Sequence, residues 1–289
     1  MMEKTGSYHV VDLSPGRRVM LNMLDLHGPA HCMYGLMEVD VTSARQFIAE
    51  HKARTGEVFS FTGYLTFCLA RAVDENKTVQ AYLKDRKQLV VFDDVDVGLM
   101  IERKIGEKSV LTGHVIRGAQ RKTYLEIHQE IRSVQSNRAP ASAEMVSWFR
   151  SAMLLPWPLP RLFNAVFGMV VRHNPTIVTS IAGTVGISSI GMFGKNLGGW
   201  GIYAPTHVLD LVVGSIVCKP AVVENRIIPR QILYLTVVFD HDIVDGAPAA
   251  RFAQRLVELI ESGYELVEDQ NITGFDTEPV LEQTVPALA

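Results

Sequence analysis

The spacing of hydrophobic and polar positions changes several times along the chain, and each change marks a new element. YGLMEVDV, residues 34 to 41, has strand character, after which Asp40, Thr42 or Ser43 can cap a helix running towards Gly56. Ser60 precedes FTGYLTFCLARAVDEN, where Phe61, Leu65, Leu69, Ala72 and Val73 recur at helical spacing and bury one face. From 79 to 118 the text shortens into β-rich pieces, VQAYL, QLVVFDD, VDVGLMIE and LTGHVIR, split by charged or glycine-bearing turns. KTYLEIHQEIRSVQSN, residues 122 to 137, restores the helical period through Leu125, His128, Ile131 and Val134. Strands return in TVGISSI, LDLVVGSIVCKP and ILYLTVVFD. In the last of these Leu233, Leu235, Val237 and Phe239 alternate with Tyr234, Thr236 and Val238, which suits a strand covered on both faces. Pro248 then opens a helix whose apolar stripe is Phe252, Leu256, Leu259 and Ile260.

No linker, low-complexity tract or repeat interrupts this alternation, so it predicts one α/β domain over residues 1–262 and an acidic, extended tail over 263–289. One stretch stands apart. SWFRSAMLLPWPLPRLFNAVFGMVV, residues 147 to 171, dominates an apolar insert at about 139–180. Pro156, Pro158 and Pro160 break it and Arg150 and Arg161 interrupt it, so no run reaches the ~20 residues a spanning helix needs. It reads as a buried or oligomer-facing helical hairpin, as a lid beside an apolar substrate, or as a membrane-surface contact.

Composition narrows the function classes. The 289 residues are 47% hydrophobic and 20% charged, enough for a large core without disulfides or metal. With 28 basic against 31 acidic residues and a net charge of -3, there is no electrostatic footprint for nucleic acid and no polybasic membrane signal. Cys32, Cys68 and Cys218 are odd in number and far apart, which fits core or near-core thiols in a reducing compartment. The N-terminus lacks a signal-peptide stretch, and the expected location is the cytoplasm. The histidines show no metal-ligand spacing, so no metal is expected.

Candidate chemistry concentrates in FDHDIVDGAPAARF, residues 239 to 252. A strand ending at Asp240 and a helix starting near Pro248 leave His241 to Gly246 as a tight connection, where α/β folds tend to place ligands. A histidine there can act as general base near neutral pH. Asp245 can tie the turn through a salt bridge or backbone amides, and Gly246 permits a backbone angle that other residues resist.

From about Arg17 to Ser262 the chain resembles the catalytic domain of the dihydrolipoamide acyltransferases of 2-oxoacid dehydrogenase complexes, relatives of chloramphenicol acetyltransferase. FDHDIVDGAPAARF carries the strand, Asp-His, three residues, Asp-Gly and alanine-rich helix start of that family. GTVGISSIGMFG, residues 183 to 194, resembles its Gly-Thr-Phe-Thr-x-Ser-Asn-x-Gly-Met-Phe-Gly segment, and APTHVLDLVVGSIVCKPAVV, 204 to 223, its proline-led strand. Asp240 before the histidine points away from the HHxxxDG branches of the superfamily.

The resemblance implies a trimeric, chloramphenicol acetyltransferase-like α/β fold, a two-layer mixed β-sheet with flanking helices. It implies a coenzyme A-dependent acyltransferase with His241 as general base, Asp245 as its organiser and Ser188 of a neighbouring subunit as oxyanion donor. Coenzyme A enters as substrate, and the acceptor is a thiol, hydroxyl or amine. Arg17 or Arg18 is the implied partner of Asp245. Ser189 replaces the family asparagine, Asp242 replaces the usual arginine after the histidine, and EKSVLTGHVIRGA lacks the Gly-Leu-x-x-Pro wording. The residues before Arg17 are too few for a lipoyl or subunit-binding domain. The expectations are therefore a free-standing enzyme, a complex core that borrows a lipoylated partner protein, or an inactive trimeric scaffold.

Overall fold

The computed structural model describes residues 12–15, 17, 18, 21, 31–84, 87–105, 108–136, 151, 152, 154–156, 158–190, 198–264 and 266. The acidic tail beyond Leu266 and the GMFG segment therefore lie outside the described residues, as does much of the first half of the apolar insert. Chain order begins with strand β1 (Cys32–Asp40), helices α1 (Thr42–Thr55) and α2 (Phe61–Glu75), and the short strands β2 (Tyr82–Lys84) and β3 (Gln88–Val90). Next come β4 (Val97–Ile105), β5 (Lys108–Ile116), α3 (Tyr124–Gln135), α4 (Leu159–His173) and α5 (Thr176–Ala182). β6 (Val185–Ser189), β7 (Leu209–Val223), β8 (Arg226–Asp240) and α6 (Gly246–Glu261) complete it.

Local chemistry sets these boundaries. Ser60 Oγ accepts the Gly63 amide and caps α2, and Thr123 with Glu126 forms a reciprocal capping box on α3. Before α1 it is Asp40 that serves, accepting both the amide and the hydroxyl of Thr42. Gly56 closes α1 in the left-handed region, φ 77°. The β7–β8 hairpin turns through Glu224 and Asn225, both at positive φ, as a two-residue turn between right-twisted strands requires.

Six strands form one mixed sheet in the order β1-β8-β7-β6-β4-β5, while β2 and β3 make a separate hairpin. β6 lies parallel to both β4 and β7, and the other pairs are antiparallel. One sheet face carries Val185, Ile187, Leu209, Leu211, Leu233, Leu235 and Val237 into the core shared with α2, α3 and α6. The alternate residues, Gly186, Ser188, Asp210, Val212 and Thr236, therefore point to the opposite face. β8 is buried on both faces from Ile232 to Phe239, as its doubly apolar sequence predicts.

The stripe of α6, Phe252, Leu256, Leu259 and Ile260, is fully covered, and Leu256 alone is worth ~1.5–3 kcal/mol of burial. Tyr64 reaches across from α2 to donate its hydroxyl to the Leu259 and Ile260 carbonyls, satisfying acceptors at the end of α6. Burial holds that phenol far above its usual range. Two positions depart from the sequence pattern. On α3 the buried face runs through Tyr124, Ile127, His128, Ile131 and Val134, leaving Leu125 outside, because the larger Tyr124 ring takes the place in the core. Cys68 is buried and Cys32 half-buried, but Cys218 is exposed because β7 has by then run past its shorter neighbour β6.

Candidate functional site

His241 stands one residue beyond β8, at the corner that leads into α6. Its backbone amide donates to the His31 carbonyl, 2.6 Å, which extends the β1–β8 ladder by one rung and fixes the imidazole at the rim of the sheet. The side chain is half exposed, and Nδ1 lies 4.0 Å from Asp245 Oδ1. Among the described residues nothing bonds to its Nε2.

The turn is held by Asp240 rather than by Asp245. The Asp240 carbonyl accepts the amides of Ile243 and Val244, and its Oδ1 accepts the Asp242 amide. Burial pushes the Asp240 carboxyl up, opposed by the Asp242 amide. Asp242, which replaces the expected arginine, meets His31 Nδ1 at 2.9 Å and ties the start of β1 to the corner. Asp245 caps α6 only through its backbone, makes no side-chain cap bond and is largely exposed. Among the described residues neither Arg17 nor Arg18 pairs with it. Gly246 sits at a negative φ with open space around its Cα, so its expected special backbone angle is not used. The reason is that Asp245, in extended geometry, already makes the change from strand to helix.

Ser188 lies near the end of β6, partly exposed, on the face away from the core. Register pairs it with Val212, which pairs with Thr236, and Thr236 lies five residues before His241. At ~3.4 Å per residue and ~4.8 Å per strand, Ser188 and His241 of one chain are roughly 19 Å apart. A reacting acyl group cannot bridge that gap, so a single chain does not bring the two together.

Beside Ser188 the structure holds a buried pair that the sequence pattern did not disclose. His207 Nδ1 lies 2.8 Å from Asp210 Oδ1, and its Nε2 lies 3.1 Å from the Ala182 carbonyl. Nδ1 also lies 2.9 Å from the Thr206 hydroxyl, so polar partners hold the ring at both nitrogens. Burial alone would lower the His207 pKa, but the Asp210 charge and hydrogen bond outweigh it and raise it. Burial likewise pushes Asp210 up, and His207 with the amides of Thr206 and His207 brings it below its usual range. The pair packs against β6 at Gly186, where any Cβ would overlap the Asp210 carboxylate, and it thereby locks the strand that carries Ser188. By contrast, His128 Nδ1 accepts the Ser60 amide, and burial lowers its pKa, so it is a neutral packing residue.

A pH window follows from the buried pair. The raised His207 contributes stability that is complete below its unfolded pKa and is lost as pH climbs through the folded value. The lowered Asp210 contributes stability that is present above its unfolded pKa and is lost as pH falls through the folded value. Denaturant midpoints are expected to fall from pH 6 to pH 9, and Asp210→Asn should remove most of that fall. A slope unchanged in the variant would show that the pair carries no such charge.

No group of three His, Cys, Asp or Glu among the described residues converges as metal ligands would, and no described helix is long and apolar enough to cross a membrane. An open cleft lined by Phe92, Asp94, Asp96, Arg117 and Ser180 lies away from His241, and its Asp96 and Arg117 are already paired.

Comparison with known proteins gives this geometry a family. The description "2-oxoacid dehydrogenases acyltransferase (catalytic domain)" matches residues 5–144 and 179–267. The dihydrolipoyllysine-residue succinyltransferase component of the Bos taurus mitochondrial 2-oxoglutarate dehydrogenase complex is 23% identical over 239 residues, 82% of this chain and 43% of that protein. The chain thus spans less than half the length of that relative. A solved dihydrolipoamide acetyltransferase from Azotobacter vinelandii aligns over 91% of this chain and 95% of its own, with TM-score 0.64 and 19% identity. The truncated catalytic core of a Thermoplasma acidophilum 2-oxoacid dehydrogenase complex aligns over 89% and 99%, with TM-score 0.60 and 23% identity. These structures share the fold. The Azotobacter structure is described as probing a serine, a histidine and, four residues after the histidine, an asparagine in catalysis. The chain belongs to the family of 2-oxoacid dehydrogenase acyltransferase catalytic domains.

Proposed function

We propose that this protein is an acyltransferase that moves an acyl group between coenzyme A and a thiol, at a site shared by two copies of a trimer. His241 Nε2 removes the proton of the attacking thiol, because a neutral thiol is a poor nucleophile. The thiolate adds to the thioester carbonyl, and the hydroxyl of Ser188 from the next copy donates to the oxygen that becomes negative. Collapse breaks the original carbon–sulfur bond, and the proton on His241 passes to the departing thiolate. The reverse direction uses the same groups.

The observation that carries this reading is the corner itself: a half-exposed imidazole with an unengaged Nε2, held by its own backbone at a strand end in a chain of this family. The relative from Azotobacter has its asparagine at the spacing of Asp245 from His241, which supports Asp245 as the residue that orients the imidazole when a second copy closes the site. The names of the relatives point to a dihydrolipoyl group as the thiol.

The test is thioester exchange. Acetyl-, succinyl- and branched-chain acyl-CoA are each incubated with dihydrolipoamide, a lipoylated domain or a small thiol, and the acylated product is identified by mass spectrometry. Thiol-dependent coenzyme A release with at least one pair is the expected result. No release with any pair would leave the inactive scaffold as the better account.

A further inference from the structure

Ser188 stands on a strand with few partners to hold it. β6 is five residues long and its pairing with β4 stops at Ile187, so Ser188 has a partner in β7, Val212, but none in β4. A slip of one residue would turn every side chain of β6 to the other face and carry Ser188 into the core. Apolar contact is non-directional and does not by itself forbid smaller shifts along the strand.

The network built on His207 and Asp210 supplies the missing constraint. Gly98 of β4, Gly186 of β6 and Asp210 of β7 form one rung across the sheet, two residues before the level of Ser188. The His207 ring lies against both glycines: a Cβ at Gly186 would run into Nδ1 and Cε1, and one at Gly98 would come within 3.5 Å of Nε2. The ring therefore occupies the sheet face that carries Ser188, roughly 7 Å back along the strand. Its Nε2 reaches the Ala182 carbonyl at 3.1 Å, just ahead of β6. Asp210 Oδ1 holds Nδ1 at 2.8 Å, and Oδ2 accepts the amides of Thr206 and His207 at 2.6 and 3.1 Å. One end of the network is thus fixed to β7, and the other touches the chain entering β6 at both Ala182 and Gly186. The His207 and Asp210 side chains are 7% and 0% exposed, so water does not compete for these bonds. A buried polar network is satisfied in one arrangement and so fixes a position that apolar packing leaves loose. A hydroxyl that must meet an oxyanion needs that accuracy, since a misplacement of ~1 Å costs on the order of 10²-fold in rate.

We propose that His207 and Asp210 are positioning residues for acyl transfer, which hold the Ser188 hydroxyl where the developing oxyanion forms. The inference rests on Ser188 being the oxyanion donor. The pair touches no reacting atom and acts only through β6.

A double-mutant cycle on kcat tests this, with the full chain assayed for thioester exchange at a temperature where circular dichroism shows each variant folded. Asp210→Asn keeps the shape of the side chain without its charge. It is expected to lower kcat about tenfold or more while KM for the thioester stays within about twofold. In a Ser188→Ala background the same change should cost nothing further, because no hydroxyl is left to misplace. His207→Gln, which keeps a donor for the Ala182 carbonyl, should retain more activity than Asp210→Asn. Wild-type kcat in Asp210→Asn would overturn the proposal. Losses that multiply in the Ser188→Ala background would mark a general structural defect and overturn it as well. An inactive wild type, or a Ser188→Ala chain with unchanged kcat, would remove the oxyanion reading itself and the proposal with it. Failure of both Asp210→Asn and His207→Gln to fold would leave the pair as a stability element alone and overturn its positioning role.

Discussion

Replacing His241 by alanine is expected to lower kcat for acyl transfer by about 10²–10⁴-fold, the range over which a positioned general base acts. The fold should not suffer. The imidazole is half exposed, its nearest partner is at 4.0 Å, and the corner is built by the Asp240 carbonyl, the Asp240 carboxylate and the His31 carbonyl, none of which needs the ring. Chemical denaturation should therefore give a midpoint close to wild type, which separates a lost base from a lost structure. A base that acts in the chemical step reduces kcat more than it changes KM for either thioester or thiol. Raising the pH should recover part of the lost rate in the variant, because hydroxide then supplies the thiolate that His241 no longer generates. Equal turnover by wild type and variant across the thioester panel would remove His241 from the reaction and the proposed mechanism with it.

The sequence made some of this legible and left the rest hidden for physical reasons. Strand and helix identities are local properties, so the doubly apolar run of β8 and the stripe of α6 could be read directly and are found where expected. Ser60 announced its helix by cap chemistry that acts within three residues, whereas the Thr123 cap of α3 went unread. The position of His241 at a strand-to-helix corner was likewise a local reading. Long-range pairings had no such signal. Nothing in the wording of 204 to 223 says that His207 and Asp210 fold beneath Gly186, since a three-residue spacing that runs from a loop into the start of β7 has no periodicity to expose it. The roles of neighbouring carboxylates were also exchanged. Asp245 has the motif position, but Asp240 has the half-buried place from which a carboxylate and a carbonyl can reach three amides, and Asp242 has the reach to His31. On α3 the choice between Leu125 and its neighbours depended on how large a ring the core could take, which only packing decides.

A mixture of two inactive variants is expected to regain activity. Ser188→Ala alone should lower kcat by about 10²–10³-fold through loss of one donor to the developing oxyanion. Within one chain Ser188 and His241 are roughly 19 Å apart by strand register, so any working site takes them from different copies. When His241→Ala and Ser188→Ala chains are unfolded together, refolded and allowed to assemble at random, a site works only if its histidine comes from the serine variant and its serine from the histidine variant. That holds for about a quarter of the sites in any ring closed by head-to-tail contacts, whatever the number of copies. The measurement is kcat per chain after co-refolding at equal amounts, against each variant refolded alone. A recovery near a quarter of the wild-type rate supports the shared site, and a recovery that vanishes when the chains are mixed only after folding shows that assembly, not a freely diffusing group, restores it. A mixture no faster than the average of its two components would mean that His241 and Ser188 do not meet across copies, and since one chain cannot bring them together, Ser188 would lose its role.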